Sequence, residues 1–260
     1  MPEALACGGC RRPLAPGTRF CPACGRSVDG SAATPQRRAE DDTVVRKKRF
    51  TEHWDELKRV AWLYGLLLVL SLLFGWTMRA GPSPATLVAF SAASAVIVTA
   101  FAVLRRRKIA FLFRLHPIGA RGWIGIVGVS AAFVVAMFLY FHFLARLGMP
   151  IMRATETIAQ AGWPAWTGFV LISVMPAIFE ELAFRGVIQS SLERVFNARD
   201  AWLIQAALFS LLHLSPLVFP SHFAMGLAFG WIRMRSRSLY PAMLLHGAWN
   251  ALVVFQELAQ

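Results

Sequence analysis

The sequence predicts an all-α, polytopic membrane bundle of about seven spans, six to eight, behind a small cysteine-rich module. Three observations predict it. The 260 residues are 57% hydrophobic and only 16% charged, where a soluble domain carries about a quarter charged residues, and mean hydropathy is +0.52. The basic residues cluster between apolar runs. All four cysteines fall within the first 28 residues.

The formal net charge of +13 raises the question of nucleic acid. The lysines and arginines flank hydrophobic runs instead of lining one face, which is the positive-inside pattern of membrane proteins, so no nucleic-acid partner is expected. Eight of the 14 acids lie in the first 56 residues. The N-terminus is polar and lacks an apolar core before a cleavage site, which argues against a signal peptide.

Three regions separate by composition. Residues 1–28 form the cysteine module. Residues 29–58, "DGSAATPQRRAEDDTVVRKKRFTEHWDELK", read as a polar linker ending in a basic juxtamembrane segment, with a short interfacial helix near "FTEHWDELKRV". Residues 59–257 are the membrane domain. A span needs about 20 apolar residues, which places spans near 60–78, 84–104, 122–145, 165–190, 200–218, 219–232 and 239–256. The sixth is short enough to be partial or re-entrant. With the N-terminus in the cytoplasm, one side carries 17 lysines and arginines, among them Arg46 to Arg49, Lys58, Arg59 and six between 105 and 121. The other side carries Arg79, Arg146 and Arg153. That bias sets the N-terminus inside, in an integral protein of the cytoplasmic membrane whose first partner is the lipid bilayer.

"CGGCRRPLAPGTRFCPACG" places Cys7, Cys10, Cys21 and Cys24 as two C-x2-C knuckles ten residues apart. Two knuckles present four thiolates tetrahedrally to one structural zinc. The competing reading, two disulfides, conflicts with a reducing cytoplasm. Gly8, Gly9 and Gly25 are expected to allow the turns. In so short a loop the metal supplies most of the folding energy. Arg11, Arg12, Arg19 and Arg26 make the ribbon basic and suit a lipid or protein partner; a purely structural cap is the alternative.

Deep polar residues are few after residue 60. Such groups in spans usually face a cavity and mark function. In "MPAIFEELAFRGVIQ", Glu180 and Glu181 are adjacent and point about 100° apart. Glu181 and Arg185 stand at i, i+4 with the acid first, the favourable order for an ion pair. Glu180 has no partner on its own helix, which suits a general base; a helix-capping or protonated acid is the structural alternative. His213 follows Phe209 by four residues, and His246 precedes Asn250 by four. Any one buried histidine is more often a satisfied core residue, but the set spans three consecutive segments. His222, after Pro220, reads as interfacial. His142 has no polar companion, and His53 and His116 fall in cytoplasmic segments.

A glutamate, two histidines and an asparagine can activate a water for amide hydrolysis. Glu180 would take the proton, the histidines would bind a metal or polarise the carbonyl, and Asn250 would donate to the oxyanion. There is no H-E-x-x-H, no aspartate within the apolar stretches and no G-x-S-x-G serine.

At these residues the chain resembles the CAAX prenyl protease and bacteriocin-processing (abortive-infection) family of intramembrane proteases, in particular the type II CAAX prenyl endopeptidases. Its E-E-x-x-x-R motif matches Glu180, Glu181 and Arg185, F-x-x-x-H matches Phe209 and His213, and H-x-x-x-N matches His246 and Asn250. The resemblance covers about 120–255 and leaves out the ribbon. It implies a helical bundle with a cavity open to the membrane, a water activated by Glu180, and His213, His246 and Asn250 completing the site, with or without a catalytic metal. It implies a membrane-associated peptide or protein substrate, lipidated by analogy. Two other readings are a non-catalytic scaffold, immunity or sensor protein of the same fold, and a proton-relaying transporter. An intact constellation argues against the first, and the lack of symmetric Gly or Pro breaks against the second.

Overall fold

The computed structural model describes residues 6–18, 20–24, 28, 35–81, 83–149 and 155–259, with the backbone alone for 35–46 and 49. Arg19, Gly25, Arg26, Arg153 and the first part of the linker lie outside the described residues. The chain divides into two units, Met1–Trp54 and Asp55–Gln260.

Eight helices and no strand occur among the described residues: α1 Pro35–Ala80, α2 Pro84–Ile109, α3 Ala120–Arg146, α4 Glu156–Gln160, α5 Ala165–Leu192, α6 Ala198–Leu212, α7 Phe219–Ser236 and α8 Tyr240–Leu258. Four segments are long and apolar enough to cross a membrane: Phe50–Ala80, Pro84–Phe113, Ala120–Arg146 and α5. The expected linker is helical from Pro35 onward, where a short interfacial helix was anticipated. Ser83 caps α2 by accepting from the Ala85 N–H at 3.2 Å, and Arg106, Arg107 and Lys108 close its last turn, where cations offset the negative helix end.

α5 is the inner helix. Of its apolar window 44% is buried, against 11–17% in the other three long segments, whose outward leucines and valines are suited to lipid. α5 widens to i→i+5 pairing over Phe169–Val174 and again over Leu182–Ile188. Such wide turns gather at functional positions, and these two flank "MPAIFEE".

α6 and α7 differ from expectation. α6 stops at Leu212, so it is about 22 Å long at 1.5 Å per residue, short of a ~30 Å hydrocarbon core. α7 is longer than the 219–232 read from sequence. Leu214, at φ +53°, turns the chain out of α6, a conformation costing an L-residue about 1–2 kcal/mol. The turn is fastened by Ser210 Oγ donating to the Phe219 carbonyl at 2.6 Å and Tyr140 Oη to that of Leu217.

The two helices then pack at very short range through Gly226 and Gly230. A Cβ on Gly226 would lie 2.7 Å from Ala206 Cα, and one on Gly230 2.5 Å from Gln205 Nε2. This is a G-x-x-x-G contact, the device by which apolar helices approach closely. Gly226→Leu is expected to separate α6 from α7 and lower the thermal midpoint by several degrees in detergent; an unchanged midpoint would contradict the packing.

Candidate functional site

α5 delivers both glutamates, in different states. Glu181 is fully buried. Its Oε1 accepts from Arg185 Nη1 and from His246 Nδ1, each at 2.9 Å. The i, i+4 pair expected from sequence is therefore formed, and it extends to α8. Arg185, equally buried, donates through Nη2 to the Met225 carbonyl at 3.3 Å. Its guanidinium lies over the rings of Phe209 at 4.4 Å and Phe229 at 5.4 Å, a desolvated cation–π sandwich that suits the planar, weakly hydrated group. Phe209 thus has a role beyond spacing His213.

Glu180, one residue earlier, has a side chain 32% exposed, and its Oε2 stands 3.9 Å from His246 Nε2. That is too long for a direct hydrogen bond and short enough for one water to reach both atoms. Because His246 Nδ1 carries the proton it gives to Glu181, its Nε2 presents a lone pair toward Glu180 in the neutral ring.

Asn250 does a job the sequence reading did not foresee. Pro176 has no N–H to give the Ile172 carbonyl four residues earlier, and Asn250 Nδ2 donates to that carbonyl at 3.0 Å. Beside it, Ser173 Oγ donates to the Gly247 carbonyl at 2.7 Å. The Pro176 break in α5 is thereby sealed by α8, as a membrane interior requires. One of the two Asn250 amide protons is committed to this bond.

His213 sits at the C-terminal cap of α6. Its Nδ1 bonds the Phe209 carbonyl at 2.9 Å. A carbonyl only accepts, so Nδ1 bears the hydrogen and Nε2 the lone pair. A neutral His213 therefore accepts at Nε2.

His222 reads from sequence as interfacial, and the structure brings it beside His213. It lies in the first turn of α7, its ring centroid 3.8 Å from that of His213 and 6.0 Å from that of Phe209. Its Nδ1 likewise bonds the Val218 carbonyl at 2.9 Å. Pro220 suggested a helix start at the interface; the signal that could have found His222 was its place four residues before Gly226 on the α7 face turned to α6.

Among the described residues, the four cysteines alone bring three or more donor atoms within 4.8 Å of one another. The glutamates and histidines of α5 to α8 do not converge that tightly. The cysteines fit a metal ion. Cys7 and Cys24 Sγ are 3.5 Å apart, as are Cys10 and Cys21, near the ~3.8 Å edge of a tetrahedron with Zn–S of ~2.3 Å and far beyond a disulfide's ~2.05 Å. Backbone N–H groups of Cys10 and Gly9 hold the Cys7 thiol well below its ordinary value, to about 6, and the Ala23 N–H lowers that of Cys21. Cys7 is thereby poised as a thiolate at neutral pH. The left-handed residue of the first knuckle is Arg11, at φ +59°, and not Gly8. Metal held here is expected to be stable at pH 7 and to weaken as pH falls below about 6, where a proton competes for Cys7. Metal release measured against pH checks this; release that starts above pH 7 would contradict it.

A family model described as Type II CAAX prenyl endopeptidase Rce1-like matches residues 161–252. No curated protein and no solved structure matches the chain. The match bears out the resemblance carried by the three motifs, over a narrower stretch than 120–255. It supports a protease of the CAAX type, and the four long apolar helices indicate an integral membrane protein.

Proposed function

We propose, taking as premise that residues 161–252 carry an Rce1-like type II CAAX prenyl endopeptidase region, that the protein is an intramembrane endopeptidase using a glutamate-activated water. The observation that carries this reading is the inequality of the two glutamates: Glu181 buried and bonded twice, Glu180 a third exposed and facing His246 Nε2. The water lies between Glu180 and His246. As its oxygen attacks the scissile carbonyl, Glu180 takes one proton and returns it to the leaving amine, so the proton count closes within one cycle. Glu181 fixes the tautomer and plane of His246, as a carboxylate does in other base-orienter pairs. The second amide proton of Asn250 donates to the oxyanion. His213 Nε2, an acceptor, holds a substrate peptide N–H.

The substrate is a membrane-associated peptide or protein, with lipidated C-terminal peptides the class suggested by the family. The basic bias supports an N-terminus inside, in a membrane read here as the bacterial cytoplasmic one, and the four clustered cysteines support structural zinc in the ribbon.

The test is protein reconstituted in liposomes with a prenylated C-terminal peptide and with its unlipidated twin, products read by mass spectrometry. Endoproteolysis of the lipidated peptide that Glu180→Gln removes is the expected result. Cleavage of neither peptide, by protein that is folded, favours the non-catalytic scaffold.

A further inference from the structure

We propose that a cleft between α1 and the C-terminal end of α2 is a binding site for the phosphate of an anionic phospholipid headgroup. A cavity of about 340 Å³ is lined by Arg59, Arg105, Arg106, Arg107 and Lys108. These groups play no part in the hydrolytic site described above.

One acid organises them. Glu56, 4% exposed, accepts from Arg105 Nη1 at 2.9 Å, from Arg105 Nη2, and from Lys108 Nζ at 3.0 Å. Arg59 Nη1 stands 3.4 Å from the same carboxylate. A single carboxylate offsets a single cation, so the cleft keeps a large positive surplus. The end of α2 contributes about half a negative charge, too little to reverse that sign. Arg105 is 3% exposed, and its Nε has no hydrogen-bond partner. A buried guanidinium N–H without an acceptor is costly. Arg105 already gives both Nη atoms to Glu56 and Ser191 and so fixes the wall, which leaves the exposed guanidinium forks of Arg106 and Arg107, free of any carboxylate among the described residues, to match the geometry of a phosphate.

The source of the phosphate is read from the rest of the wall. Val103 and Leu104 complete the lining and are 49% and 82% exposed. They belong to the membrane-crossing segment Pro84–Phe113. A free anion has no use for an apolar wall, whereas a lipid needs a cationic site for its head directly beside an apolar path for its chains. The side richer in lysine and arginine is the one that meets anionic lipid in the cytoplasmic leaflet.

The test uses the full chain in detergent, titrated with phosphatidylglycerol or with phosphatidylcholine of the same acyl chains and followed by native mass spectrometry. Phosphatidylglycerol is expected to bind more tightly. The exposed pair Arg106→Gln, Arg107→Gln is expected to weaken it about 30-fold, two basic groups at about 1 kcal/mol each, with phosphatidylcholine and the thermal midpoint unchanged. Arg199→Gln with Arg237→Gln removes the same charge elsewhere and is expected to change nothing. Three results would overturn the proposal: equal affinity for the two lipids, equal loss in both double variants, or displacement of phosphatidylglycerol by millimolar inorganic phosphate.

Discussion

Glu180→Gln is expected to abolish cleavage while the protein still inserts and folds. The substitution keeps size and a hydrogen-bonding oxygen but removes the base, and positioned general bases contribute about 10²- to 10⁴-fold. Glu180 tolerates the change structurally because its side chain is a third exposed and makes no short hydrogen bond among the described residues. Glu181→Gln is expected to behave differently. It neutralises a carboxylate that both Arg185 and His246 need, so stability and activity fall together. Rates alone do not separate the two glutamates, and the thermal midpoint does: near wild type for Glu180→Gln, lowered for Glu181→Gln. A Glu180→Gln variant that still cleaves removes Glu180 as the base.

Arg185→Ala is expected to cost about 3–5 kcal/mol, the range for removing one partner of a buried pair. Nothing about Glu181 lets water rescue it, since both residues of the pair are fully buried. The loss extends further than the pair. Arg185 also fills the space between Phe209 and Phe229 and donates to Met225, so α5, α6 and α7 all lose contact at one point. Arg185→Lys is expected to recover little, because an ammonium lacks the flat fork that bonds and stacks at once. Replacing the pair together, by Glu181→Gln with Arg185→Met, is expected to recover part of the stability and none of the activity, since no isolated charge is left but His246 loses its orienter. Chemical unfolding in detergent measures all of these; a fully stable Arg185→Ala protein would refute the structural role.

Glu181 and Arg185 were legible in sequence because a helix fixes what stands one turn away. The apolar runs and the C-x2-C knuckles were legible for the same local reason, a fixed period and a fixed spacing. Three features depended on contacts distant in sequence. The Nδ1 of His246 meets Glu181 across 65 residues and Asn250 meets Ile172 across 78, and neither helix carries a mark of the other. Pro176 was in view, but which donor would replace its missing N–H was not. His222 was set aside because Pro220 marks a helix start; only the tight α6–α7 crossing at Gly226 shows why that start lies beside His213. The end of α6 at Leu212 was missed because "LLHLSP" stays apolar after the helix has stopped.

The central claim is that water activation belongs to Glu180 and its histidine, and metal binding to the four cysteines. Zinc per chain measured beside cleavage in one preparation tests it most directly, on the full chain and on Cys7→Ser with Cys10→Ser. The account predicts one zinc in the full chain, none in the cysteine variant, and cleavage by whatever part of the cysteine variant remains folded. A zinc that stays in the cysteine variant and leaves with His213→Ala or His246→Ala would contradict it and make the membrane site a metal centre.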